Sequence, residues 1–253
     1  MLHSSVNAEA PAVRTIGPVE VAVIDESGAI AEIVEAIEQA QPQVFGFCNA
    51  HTVNVARKSA AFAEALSRMT LFNDGIGLDL ASRLLFSAPF PANLNGTDLT
   101  PRVLASLNKP TNLFLLGSPP GIAARAGAVF AAAYQNVRIT GTHDGFFDEA
   151  ASAAIVRQIR ASHADLLLVA MGHPRQEIWA VRNAEQIGVP SLCVGALLDF
   201  VAGEIPRAPG LIRSMRMEWA YRLALEPRRM AARYLVGNLT FLGAALRQRF
   251  GRQ

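Results

Sequence analysis

Asp165-Leu166-Leu167-Leu168-Val169-Ala170 is followed at once by Gly172-His173-Pro174-Arg175-Gln176-Glu177 and a segment bearing Trp179, and this stretch decides the fold. A short apolar run that ends at a Gly/Pro break and leads into a helix is half of a βαβ unit. The same unit recurs outward in both directions. Further strands are predicted near residues 19–24, 44–48, 70–73, 111–116, 137–140 and 191–194, with amphipathic segments between them. In one of these segments, residues 29–40, Ile30, Ile33, Val34 and Ile37 recur at helical spacing and Glu32, Glu35 and Glu38 fall mostly on the other face; it should stop before Pro42. Asn95-Gly96-Thr97-Asp98 reads as a turn and N-cap, with Pro101 in the first turn of the helix it starts. The expected architecture is α/β, a Rossmann-like and mostly parallel sheet with helices on both faces, plus a C-terminal helical appendage.

Composition narrows the class. The chain has 253 residues, 51% apolar and 17% charged, which suits one sizeable core and excludes intrinsic disorder and collagen-like repeats. Cys48 and Cys193 each lie in an apolar run and read as buried free thiols of a reducing compartment. The first eleven residues lack a basic region followed by an apolar stretch, so a cytoplasmic chain is expected. The best apolar candidate for a membrane span, residues 234–246, is 13 residues long, short of the ~18–20 a bilayer requires.

Charge divides the chain. The net charge of +2 conceals residues 207–253, which carry ten Arg, no Lys and two acids, beside an acidic remainder. Three parts are expected: an N-terminal arm at 1–18 without periodicity, a Rossmann-like body at 19–206, and an Arg-rich helical appendage at 207–253 with helices near 211–225 and 228–249. The basic end suits phosphate, whether of a nucleotide, a lipid or a nucleic acid. Nucleic acid fits least, because the arginines lack interleaved aromatics and the body is acidic. Two apolar stripes, Leu211/Met215/Trp219/Leu223 and Leu235/Leu239/Leu242/Leu246, would pack on a core or lie on a membrane surface.

Five motifs sit where strands end and helices begin, the edge at which parallel sheets collect ligands. In Asn73-Asp74-Gly75-Ile76-Gly77, Asp74 stands in a catalytic position, or caps the next helix. Phe47-Cys48-Asn49-Ala50-His51-Thr52 brings an amide to hold a sugar hydroxyl and an imidazole that could move protons; alternatively Asn49 or Thr52 is a helix cap. Leu116-Gly117-Ser118-Pro119-Pro120-Gly121 is a glycine-bearing loop, either a loose phosphate cradle or a plain turn. Arg175 or Gln176 could reach a ligand, while Glu177 near a helix start favours the dipole. Asp199 adds another rim carboxylate. No Asp-x-Asp, Cys-x-x-Cys, His-Glu-x-x-His, Walker A or dinucleotide fingerprint is present, so no metal or cofactor site is expected and the dehydrogenase and ATPase classes lose their support. Arg229 and Arg233, four apart on one helix face, with Arg222 nearby, could neutralise a diphosphate in place of a metal.

Taken with Asn49-Ala50-His51, Asn95-Gly96-Thr97-Asp98, Gly141-Thr142-His143-Asp144-Gly145-Phe146-Phe147, Arg207-Ala208-Pro209 and Glu218-Trp219-Ala220-Tyr221-Arg222, these blocks resemble the WecG/TagA/CpsF family of glycosyltransferases over about residues 20–243. The resemblance implies metal-independent, inverting transfer from a UDP-sugar donor to a sugar carried on a polyprenyl diphosphate, at the inner face of the cell membrane. It implies Asp74 as the base, Asn49 and Gln176 as residues of the substrate pocket, and the C-terminal arginines as an appendage that closes over the nucleotide; with the rim motifs, His51, Thr97, Asp98, Gly117, Asp199, Arg222, Arg229 and Arg233 are the further substrate contacts expected. Family members often carry Thr two residues before the Asn, where this chain has Phe47. The other class open to such a chain is a non-catalytic membrane-surface nucleotide-binding or scaffold protein.

Overall fold

A computed structural model describes residues 12–209, 212, 218–225, 227 and 236–251. Strands β1 (Val13–Ile16) and β2 (Val19–Ala22) form an antiparallel hairpin. Helix α1 (Glu26–Glu38) leads to β3 (Val44–Cys48), α2 (Ala50–Ala56), α3 (Ala60–Ser67), β4 (Thr70–Asn73), α4 (Ile76–Phe86) and α5 (Gly96–Ser106). Then follow β5 (Thr111–Gly117), α6 (Ile122–Ala133), β6 (Val137–His143), α7 (Glu149–Ala161), β7 (Leu166–Ala170), α8 (Arg175–Ile187), β8 (Ser191–Cys193) and α9 (Leu197–Val201). Two more helices, α10 (Glu218–Leu225) and α11 (Gly237–Phe250), belong to the C-terminal region.

Six strands pair in parallel in the order β4-β3-β8-β7-β5-β6. Side chains alternate between two covered faces, so central strands read as unbroken apolar runs. Leu113, Leu115, Leu166 and Leu168 pack with Ile33, Val103 and Phe130 of α1, α5 and α6. Phe114, Leu116, Leu167 and Val169 pack with Ile159 and Trp179 of α7 and α8. At the β4 side, the hairpin, α2, α4 and α11 share a third cluster that includes Ile16, Val53, Leu78 and Phe241.

Several expectations change. The arm is not structureless up to residue 18, since Val13–Ile16 pair with Val19–Ala22 instead of leaving β2 to the large sheet. Gly17, at φ +61°, begins a two-residue Gly-Pro turn whose twist suits an antiparallel pair. Pro101 sits in the second turn of α5, where it cannot donate to the Thr97 carbonyl. Strand β6 runs three residues past the expected end, because a register shift skips Thr140 and Gly141 lies against Phe114, where a Cβ would come within 2.4 Å of the ring.

In α11 the buried residues are Phe241 and Ala245, with Leu242 half-buried against the same cluster, whereas Leu239 is 74% exposed and Leu246 45%. The expected Leu stripe therefore splits. Phe241 and Ala245, four apart, face the body, and Val236, Leu239, Leu246 and Phe250 form a second, exposed apolar row. Gln248 ties the helix down, donating from Nε2 to the Thr15 carbonyl at 3.0 Å and accepting from the Gly17 amide at 2.8 Å. Of the other stripe, Leu211 and Met215 lie outside the described residues, as does the side chain of Trp219; Leu223 is half-buried.

Candidate active site

The chain leaves β5 towards β6 at one edge and leaves β7 towards β8 in the opposite direction, so neighbouring loops part between β5 and β7. Such a switch point opens a crevice at the carboxyl ends of the strands. A cavity of about 600 Å³ lies there, and all six strand ends contribute to it, through residues such as Asn49, Asp74, Ser118, Gly145, Met171 and Val194.

Asn49 is a helix cap, one of its two sequence readings, and it also lines the cavity. As the N-cap of α2 its Oδ1 accepts from the His51 amide at 3.0 Å and the Thr52 amide at 3.2 Å, and Thr52 Oγ1 answers the Asn49 amide at 3.2 Å. Its Nδ2 is left to donate to Asp74 Oδ2 at 3.2 Å. The cap therefore fixes the direction from which an amide meets the carboxylate.

Asp74 does not cap α4. The N-cap there is Gly75, at φ +86° and with no side-chain cap bond, so the carboxylate precedes the helix and lines the cavity. The Asp74 amide donates to the Cys48 carbonyl at 2.7 Å, and the Gly75 amide donates to Asn93 Oδ1 at 2.6 Å. Asn93 escaped the sequence reading; a polar residue in the Pro-rich stretch after α4 was its only signal. Burial pushes the Cys48 thiol far up from its ordinary value, and the nearby Asp74 charge adds to that shift.

Gly117 is a backbone device. At φ +137° its missing Cβ would stand 2.3 Å from the Ala170 carbonyl, which accepts the Ser118 amide at 2.8 Å. This pinches β5 against β7 and sets the loop that carries Ser118 into the cavity wall. Gly117 itself is not part of the lining.

Beyond β7, Gln176 is 1% exposed, its Oε1 accepting from the Gly172 amide at 3.1 Å and its Nε2 donating to Glu177 Oε1 at 2.6 Å. It lines the cavity while holding the loop before α8. Glu177 is equally buried, and His173 Nδ1 lies 2.7 Å from its Oε1. It is thus an interior group in the first turn of α8, where its charge favours the helix dipole as expected. The His-x-x-x-Glu spacing, one helical turn, was the available signal. Arg175 donates from Nη1 to the Gly145 carbonyl at 2.6 Å and from Nη2 to the Phe147 carbonyl, with its guanidinium 4.7 Å from the Phe147 ring centre. It clamps the loop after β6.

The remaining expected contacts divide. His51, Thr97 and Asp199 line the cavity. Asp98 does not, because it pairs with Arg207 and accepts from Asn95 Nδ2 at 2.8 Å, pinning the segment after α9 to the start of α5. Arg222 falls within α10, and Arg229 and Arg233 lie outside the described residues. Among the described residues no three of His, Cys, Asp and Glu stand together as a metal-ligand set.

A carboxylate held by an amide at the mouth of a parallel sheet, beside a cavity of nucleotide size and under loops from all six strands, is suited to activating a hydroxyl for group transfer. Residues 14–253 match the family model described as "Glycosyl transferase WecG/TagA/CpsF family", so the chain belongs to that family and is a glycosyltransferase of polysaccharide synthesis.

Proposed function

We propose that this glycosyltransferase is an inverting, metal-independent hexosyltransferase that uses a UDP-sugar donor and a polyprenyl-diphosphate-linked sugar acceptor in surface or exopolysaccharide synthesis. N-acetylmannosamine, its uronic acid and glucose are the donor sugars the family suggests. The observation that carries the reading is Asp74, placed just ahead of the Gly75 N-cap of α4, lining the cavity and met by Asn49 Nδ2 at 3.2 Å.

In the proposed reaction Asp74 takes the proton of an acceptor hydroxyl as that oxygen bonds to the anomeric carbon. The bond from that carbon to the UDP oxygen breaks on the opposite face, and UDP departs with the electron pair. Asn49 orients the carboxylate, while Thr97, Gln176 and Asp199 border the space left for the sugar and nucleotide. Arg222, Arg229 and Arg233 would stabilise charge on the departing diphosphate, the kind of electrostatic help that often contributes most to catalysis. Transfer from a panel of UDP-sugars to a lipid-diphosphate acceptor should show turnover with one donor class. UDP binding without transfer from any donor would favour the non-catalytic nucleotide-binding or scaffold reading.

The acceptor's lipid calls for a membrane surface, and peripheral association at the inner face of the membrane is part of the proposal. Among the described residues no helix is long and apolar enough to cross a bilayer. Support for surface binding comes from α11 and its N-cap Val236, where Val236, Leu239, Leu246 and Phe250 follow one another at helical spacing and are all exposed, with Arg247 and Arg249 near the end. A double variant Leu239→Glu/Leu246→Glu is expected to weaken binding to anionic vesicles in a sedimentation assay by about 10²–10⁴-fold, since two leucine side chains buried in the interface contribute roughly 1.5–3 kcal/mol each. Its melting temperature should stay unchanged. Undiminished vesicle binding would remove α11 from the membrane contact.

A further inference from the structure

A second cavity, of about 610 Å³ and sharing no lining residue with the first, lies between the turn of the β1–β2 hairpin, the end of α2 and the later turns of α11. Its walls are tied together by bonds between distant segments. Asn54 Nδ2 donates to the Gly237 carbonyl at 2.7 Å and joins α2 to the start of α11, while Gln248 clamps the far end of that helix to Thr15 and Gly17. Gly17 stands so close to α2 that a Cβ there would come within 3.0 Å of Val53 Cγ1. Ile16, Pro18, Val53, Ala56 and Phe241 make most of the lining apolar.

Charge on this lining has one sign. Arg57 and Arg247 border it, and no Asp or Glu does so among the described residues. Arg57 closes α2 as its C-cap, its backbone amide donating to the Val53 carbonyl at 3.0 Å. Its guanidinium, like that of Arg247, makes no hydrogen bond or ion pair with another described residue, and both side chains are exposed. Arg14 and Arg249 nearby differ, being spent on Ser82 and on the Leu84 carbonyl. Guanidinium forks take phosphate oxygens bidentately and stay charged at any physiological pH. An apolar hollow rimmed by two such groups suits a phosphate that carries hydrocarbon.

The rest of α11 says where that hydrocarbon goes. At ~100° per residue, Arg247 falls between the exposed row of Val236, Leu239, Leu246 and Phe250 and the flank of Ala244 and Gln248 that borders the cavity. An amphiphile with its phosphate at the two arginines can lay its chains along that row. A zwitterionic headgroup would bring its own cation to a lining that holds no anion to receive it, so the charge selects an anionic lipid.

We propose that this cavity binds the headgroup phosphate of an anionic glycerophospholipid through Arg57 and Arg247. The site rests on the reading of the protein as peripherally membrane-bound, and it adds to that reading a defined lipid contact on the α/β body, where α11 alone would offer only a greasy surface.

Sedimentation of the full chain with vesicles of mixed phosphatidylglycerol and phosphatidylcholine tests the site. Arg57→Gln should weaken binding about ten- to a hundredfold, the range for hydrogen bonds to a charged group. Lys58→Gln removes the same charge one residue further on, from a side chain outside the lining, and should cost at most about fivefold through general attraction to the surface. Arg57→Lys, which keeps the charge without the fork, should restore only part of the loss. Melting temperatures should match wild type, because Arg57 is exposed and its amide bond survives each change. Dihexanoyl phosphatidylglycerol, kept below its micelle concentration, should shift the NMR amide signals of Gly17 and Ala56 in wild type and not in Arg57→Gln. Equal losses for Arg57→Gln and Lys58→Gln would reduce the effect to surface charge and overturn the site. Amide shifts that follow protein concentration instead of lipid would mark a second copy of the chain in the groove and overturn it too. A wild-type chain that binds vesicles of neither phosphatidylglycerol nor phosphatidylcholine overturns the membrane reading as well, which separates the two failures.

Discussion

Replacing Asp74 with asparagine is expected to lower kcat by about 10²–10⁴-fold, the usual contribution of a positioned general base. The side chain keeps its size, so the 2.7 Å bond from the residue 74 amide to the Cys48 carbonyl and the Asn93 contact to Gly75 should survive. Melting temperature and donor KM should therefore stay close to wild type, because the loss falls on a step made only in the transition state. Asn49 now faces an amide instead of a carboxylate, which weakens its charge-assisted bond but leaves its cap of α2 in place. Single-turnover assays separate this result from slow product release. Near-normal turnover would remove Asp74 as the base and leave the cavity without a proton acceptor on the β4 side.

Phe241→Ala should act in the opposite way, on stability first. Phe241 is 1% exposed, reaches across α11 into the cluster of Ile16, Val53 and Leu78, and touches the surface of α4 at Gly77. Truncating a phenylalanine so enclosed costs about 3–5 kcal/mol, a large share of the ~5–15 kcal/mol that holds a domain together. For a chain of this length the midpoint of thermal unfolding should drop by roughly 6–20 °C. A shift below about 2 °C would show that α11 is not docked on α2 and α4. The same packing complicates any truncation at residue 211, which removes Phe241 and the Gln248 clamp together with the arginines. Activity lost by such a truncation would report a damaged body as well as missing cations, so substitutions of single arginines separate the two effects.

The sheet was legible because its physics is local. Leu166–Ala170 and Thr111–Gly117 are runs that only a doubly covered strand can bury, and a glycine marks the turn after each, Gly172 two residues beyond the first and Gly117 at the end of the second. The cap at Asn49, one of two candidates there, was legible for the same reason, since an Asx side chain reaches an amide two or three residues ahead, whereas at Asn95 the local pattern showed a cap but set the helix start too late. What stayed hidden depended on partners distant in sequence. The hairpin of Val13–Ile16 with Val19–Ala22 packs beside α11, and the split of the α11 leucines follows from which face meets α2 and α4. Periodicity marks an apolar row without saying what covers it. In α11 the row of Phe241 and Ala245 went to the core, and the leucines predicted beside it were partly left outside.

The candidate site shows the same division. Chain order alone placed Asp74, Asn49, His51 and Gln176 at strand ends, and strand ends of one parallel sheet meet on one edge whatever the details of packing. Whether Asp74 capped a helix and whether Asp98 faced a ligand or Arg207 were matters of a few ångströms that local spacing does not record. The residue pattern thus determined an α/β body, its ligand edge and the side chains delivered there. Tertiary structure decided which of those side chains are consumed in holding loops and which still line the cavity, because burial and long-range hydrogen bonds are properties of the packed chain and leave no mark on local spacing.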